Sequence, residues 1–185
     1  MKYLVLCEGT NEKTIINLLL DANKLKIKRD DLVGLTPYNV RQLSNPTIKS
    51  QLKIYNQPVI ILRVGDTQRE KFPIPTDLRN IVSKDRVIKY CTLPELEILL
   101  IINEGMYKQF LKSGEKKPKT FAKRNIIYNK KRYDQSSEFF EMYYGGKRIS
   151  NLIENLNEYK KIKKHNKDEE YLADLLKWGV LYDWR

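Results

Sequence analysis

The run Lys2-Tyr3-Leu4-Val5-Leu6-Cys7, breaking at once into Glu8-Gly9-Thr10, constrains the fold more than any other part of the chain. The apolar residues read as a short buried strand. The three that follow make a turn, and Thr10 or Asn11 can cap a helix running to about Asn23. That helix sets Ile15, Leu18, Leu19 and Ala22 at helical spacing. The same alternation continues. A weak strand is expected at 32–36, a short helix at 47–55, a strong strand at 59–64 and a fourth strand at 86–91. A helix starts at Thr92, with Pro94 in its first turn, and extends to about Lys112. Strands alternating with helices over residues 1–112 predict an α/β fold, a mostly parallel four-stranded sheet flanked by helices. Residues 113–185 read as a basic helical extension, with helical patterns at 119–127, 136–143, 149–161 and 169–177.

Charge separates the same two parts. The chain carries 35 Lys+Arg against 23 Asp+Glu, a formal net charge of +12. Residues 107–167 hold 17 of the basic residues and 6 of the acidic ones, so nearly all the excess lies there. Basic groups neutralise phosphates and aromatic rings stack on unpaired bases, so this composition suits RNA or single-stranded DNA. The alternative is a lysine-rich solvated surface over aromatics packed inside, and most of those aromatics are read as core.

Several chemistries are excluded. Cys7 and Cys91 have no metal-binding spacing, and His165 is the single histidine. Zinc centres, Ser-His-Asp triads and two-histidine ribonuclease chemistry therefore fall away. The longest apolar runs fall far short of the roughly 20 residues that cross a bilayer, and no signal peptide is read. Two cysteines suit a reducing, cytoplasmic setting. No Gly-x-x-x-x-Gly-Lys motif is present.

What remains is carboxylate chemistry. In open α/β sheets, sites form beyond the carboxyl ends of strands. Glu8 follows the first strand, Asp66 the third, and Glu95 and Glu97 the fourth. If these strands are parallel neighbours, the carboxylates meet at one edge, and such hard oxygen donors suit Mg²⁺ or Mn²⁺. Thr92-Leu93-Pro94-Glu95 matches a capping box, which gives Glu95 a structural role. Glu97 has no such explanation. It lies in a helix start that is apolar nearly all round, so it needs a partner. A metal is one, and Arg63, Arg69 or Lys89 in a buried ion pair is the other.

Leu4-Val5-Leu6-Cys7-Glu8-Gly9-Thr10-Asn11-Glu12-Lys13 resembles the first signature of TOPRIM domains, a hydrophobic strand and then Glu-Gly-x-(Asp/Asn)-Glu. The second signature is a strand ending in Asp-x-Asp. Here 59–64 leads to Asp66-Thr67-Gln68, with only the first aspartate present. The resemblance covers roughly residues 1–102. It implies that Glu8 and Asp66 bind Mg²⁺, and that Glu97 stands where defence-associated TOPRIM nucleases carry a further glutamate, compensating for Gln68. The expected activity is metal-dependent cleavage of RNA or DNA phosphodiesters, as an effector in bacterial anti-phage defence with a separate ATPase as possible partner. Glu8, Asp66 and Glu97 would hold the metal, and Lys13 or Arg69 would stabilise transition-state charge. Two other readings stand beside it: a non-catalytic nucleic-acid-binding or regulatory subunit with a degenerate site, and a toxin-like tRNA nuclease.

Overall fold

The structure, a computed structural model, describes residues 1–55, 57–66, 71–92, 95–162 and 170–177. Its elements in chain order are β1 (Lys2–Cys7), α1 (Thr10–Asp21), β2 (Tyr38–Asn39), α2 (Pro46–Lys53), β3 (Val59–Gly65), β4 (Val87–Cys91), α3 (Glu97–Asn103) and α4 (Tyr107–Lys112). There follow α5 (Pro118–Asn125), β5 (Ile127–Tyr128), β6 (Lys131–Arg132), α6 (Ser137–Tyr144), α7 (Ile149–Ile162) and β7 (Glu170–Tyr171). Gln68, Arg69, His165 and residues 178–185 lie outside the described residues.

Among the described residues the main sheet has five strands in the order β2-β1-β3-β4-β7, every pair parallel. The chain is thus α/β with a parallel sheet flanked by helices. The expectation of four strands is corrected by β7, which the extension contributes to the edge beside β4. Two residues are too few to announce a strand.

Both faces of the sheet are covered, which is why its strands read as apolar runs rather than alternating ones. Val5, Cys7, Leu62 and Val64 face one core with α1, α3, α6 and α7. Leu4, Leu6, Val59 and Ile61 face a smaller one with Ile48 and Leu52 of α2. The larger core takes residues from both sides of position 112. Of the ten aromatic residues from Tyr107 to Tyr159, eight are buried, including Phe139, Phe140, Tyr143 and Tyr144 of α6. The aromatics of the basic half are therefore mainly core.

Local sequence explains where expectations shift. The strand foreseen at 32–36 is replaced by two 3₁₀ turns, with Gly34 at φ +67° inside the second. The pairing moves on to Tyr38–Asn39. The single helix foreseen from Thr92 to Lys112 is two helices, α3 and α4. Gly105, at φ +67°, ends α3 in a Schellman motif: Met106 N–H donates to the Ile101 carbonyl and Gly105 N–H to that of Ile102. The helix foreseen at 169–177 is β7 and a 3₁₀ turn, Leu172–Leu175. Its leucines are buried as helical spacing suggested, but Asp174 accepts the Tyr171 N–H and tightens the turn. No described helix is long and apolar enough to cross a membrane.

Candidate functional site

Register brings the carboxyl ends of three strands level. Cys7 lies opposite Val64, and Gly65 opposite Cys91. The residues that leave those strands are stitched together by backbone: Glu8 N–H donates to the Val64 carbonyl at 2.9 Å and Thr92 N–H to that of Gly65 at 3.1 Å. Glu8, Asp66 and Thr92 therefore emerge side by side. The Glu8 carboxylate turns across the edge, and its Oε2 accepts the Asp66 backbone N–H at 2.9 Å. Arg41, just beyond β2, holds Oε1 at 3.1 Å. Gly65 makes this crossing possible, since a Cβ there would stand 2.4 Å from Glu8 Oε2 and 2.6 Å from Glu8 Cβ.

Beside this edge lies a cleft of about 330 Å³. Asp66, Glu12, Glu95 and Glu97 line it with Thr10, Asn11, Thr92, Lys119 and Gln135. Asp66 and Glu97 thus line one cleft. Glu8 does not line this cleft but a smaller pocket, with Arg41, Arg63 and Lys89. Lys13 sits half-buried in the first turn of α1 and does not line the cleft. Lys119, which sequence reasoning passed over, is the cation among the described residues that line it.

Glu12 was also missed. It projects from the first turn of α1, and the signal that could have found it is the signature itself, whose last glutamate it is. Burial raises its pKa above the ordinary carboxylate value, and the charges of Glu8, Glu97 and Asp66 raise it further. Glu12 therefore feels carboxylates from three chain segments, while Arg41 pairs with Glu8 and the Lys119 charge favours ionised Glu97.

Glu97 is 4% exposed. Its partner is neither Arg63 nor Lys89 but Tyr133, whose hydroxyl donates to Oε1 at 2.5 Å. Tyr133 comes from beyond β6 and is itself buried. Burial raises the Glu97 pKa, the Tyr133 bond opposes that rise, and Glu95 adds to it. The capping box foreseen for Thr92 and Glu95 does not form. The Thr92 N–H is already committed to Gly65, and Glu95 Oε2 instead accepts the Lys119 N–H at 2.8 Å, in the first turn of α5. The Thr92 hydroxyl, buried at the cleft wall, has no hydrogen-bond partner among the described residues.

The donor chemistry fits a hard divalent cation: oxygen ligands, concentrated negative charge and an open volume. Among the described residues no group of three or more His, Cys, Asp or Glu side chains is placed to hold a metal ion. Mg²⁺ does not require one, since it keeps several waters and binds through one or two carboxylates.

No family model, no curated protein and no solved structure matches the chain.

Proposed function

We propose that this protein is a divalent-metal-dependent nuclease of TOPRIM-like design, cleaving phosphodiester bonds of RNA or DNA. The observation that carries the reading is the meeting of Glu12, Asp66 and Glu97 in one cleft beside Glu8, with Glu12 desolvated against the other three charges. Such an arrangement is costly for folding alone, and like-charged clusters of this kind mark functional sites. Asp66 and Glu97 would hold Mg²⁺ or Mn²⁺, with Glu8 close behind and Glu12 adding negative potential. A bound ion of this type polarises a phosphoryl oxygen and lowers the pKa of bound water.

The chain's own groups complete the site. Tyr133 orients the Glu97 carboxylate, and the Gly65 backbone leaves room for Glu8. Lys119 places positive charge at the cleft wall, where a phosphate would enter. The Thr92 hydroxyl is available to donate to an oxygen there. Lys13, half-buried on α1, is the less favoured cation of the two. A role in anti-phage defence is part of the same proposal, supported by the TOPRIM-like signature at Glu8, and any ATPase partner would be a separate chain.

A second reading, a nucleic-acid-binding subunit without catalysis, is favoured by two observations: the Arg41 contact on Glu8, and the lack, among the described residues, of any group of three or more His, Cys, Asp or Glu placed to hold a metal ion. One experiment separates them. Labelled RNA and DNA are incubated with the protein in Mg²⁺, Mn²⁺ or EDTA. The nuclease reading requires metal-dependent cleavage that Asp66→Asn and Glu97→Gln abolish. Tight binding with intact substrate in every metal supports the second reading instead.

A further inference from the structure

Residues 115–134, from the linker before α5 to the turn after β6, contain 8 Lys+Arg and 2 Asp+Glu. All eight basic residues are exposed. The two acids take one partner each, Glu115 with Arg124 at 3.7 Å and Asp134 with Lys131 at 3.0 Å. Lys116, Lys117, Lys119, Lys123, Lys130 and Arg132 are in no ion pair among the described residues. Such a surface attracts polyanions.

The segment is also fixed in place. β5 and β6 form a hairpin, and Arg132 Nη1 donates to the Arg124 carbonyl, tying it to α5. Lys119 near one end and Gln135 just past the other both line the acidic cleft. The Lys119 N–H to Glu95 and the Tyr133 hydroxyl to Glu97 join the same segment to the carboxylates. Both ends of the ridge thus reach the cleft.

Its aromatic residues say how it binds. Phe121 and Tyr133 are buried, and Tyr128 is half-buried beneath the Arg148 guanidinium, 4.5 Å from its ring. Among the described residues the ridge thus offers no open ring on which a base can stack.

We propose that α5 and the β5–β6 hairpin form the docking ridge for a nucleic-acid strand, held through its phosphates and not through its bases. The identity of the polyanion rests on the nuclease reading; the ridge itself does not. Binding through phosphates releases counterions, so affinity falls steeply with salt and depends little on base composition.

The test is fluorescence anisotropy in EDTA, where no metal-dependent cleavage occurs, with short labelled RNA and DNA, single-stranded and duplex, over a salt series. The ridge variant is Lys130→Glu/Lys131→Glu/Arg132→Glu. The control is Lys28→Glu/Arg79→Glu/Lys84→Glu, which makes the same charge change at the opposite, amino-terminal end of the sheet. The ridge variant loses at least about tenfold in affinity, and its log–log salt slope flattens by about 2 to 3, close to one per lost phosphate contact. The control loses less than about threefold, and binding varies by less than about threefold with base composition. If circular dichroism shows the reversed-charge variant unfolded, the corresponding triple alanine variant is read in its place, with the same direction and a smaller loss. The proposal is overturned if ridge and control variants lose affinity equally, if the ridge variant binds like wild type, or if the wild type prefers anionic phospholipid vesicles to nucleic acid. Ridge-dependent binding without cleavage in Mg²⁺ or Mn²⁺ sinks the nuclease reading alone. Cleavage with ridge-independent binding sinks the ridge alone.

Discussion

The side-chain carboxylate of Glu8 accepts the backbone N–H of Asp66 at 2.9 Å, linking residues from the ends of β1 and β3. The bond exists because Gly65 has no side chain. In Gly65→Ala the new Cβ would stand 2.6 Å from Glu8 Cβ, which cannot move without its backbone. Overpacking of this kind costs about 1–3 kcal/mol. We expect Gly65→Ala to lose that stability in urea denaturation, and to lose any metal-dependent activity by more than its folded fraction explains. Gly9→Ala is the comparison, because its Cβ would meet only the flexible end of Glu12, at 2.7 Å. It should be the milder change in both measurements.

Glu12 and Glu97 both have pKa values raised above the ordinary 4.5, burial being the first cause. The folded chain therefore holds these protons more tightly than the unfolded chain. That contribution to stability is complete below about pH 4.5 and is lost as pH rises through the folded-state values. Glu12→Gln removes the ionisation, so it should raise Tm at pH 8 and converge on wild type near pH 4. An equal Tm difference at both pH values would contradict the account.

Tyr133 ties the extension to the carboxylate most deeply buried in the cleft. A hydrogen bond to a charged group contributes about 1.5–3 kcal/mol. Tyr133→Phe should cost about that much at neutral pH in chemical denaturation. In a double-mutant cycle with Glu97→Gln the cost should shrink, because the acceptor no longer carries charge. Additive effects would show that the hydroxyl does not act through Glu97.

On this account a divalent cation in the cleft would relieve the repulsion that adds to the effect of burial on Glu12. Mg²⁺ should therefore stabilise the wild type, by about 2.7 kcal/mol at a hundredfold excess over Kd, and more at pH 8 than at pH 5. Thermal shift measurements should show the gain shrinking in Asp66→Asn and Glu97→Gln. An equal gain in those variants would place the ion elsewhere.

The frame of the site was legible because strand exits can be read from apolar runs. Glu8 and Asp66 stand just past such runs and the parallel register levels them, while Glu97 opens the helix that follows the fourth strand. Glu97 announced its need for a partner by sitting among Ile98, Leu99 and Leu100. The partner itself was not legible, since Tyr133 reaches it through α5 and a hairpin of two-residue strands, 36 positions along the chain. Arg41 was hidden for a similar reason, being placed by the brief pairing of β2. The capping-box pattern at Thr92 misled because its local geometry competed with the sheet: the Thr92 N–H went to Gly65, which freed Glu95 to receive α5. Short elements fixed by tertiary contacts carry little periodicity to read.

The central claim is that Asp66 and Glu97, with Glu8 and Glu12 beside them, hold a divalent ion in the cleft. Crystals soaked in Mn²⁺ and measured at the manganese absorption edge test it directly. The account predicts an anomalous peak within coordinating distance of Asp66 and Glu97 oxygens, lost in Asp66→Asn. A cleft without a peak at saturating Mn²⁺, with its carboxylates still turned to Tyr133, Arg41 and Lys119, would contradict it.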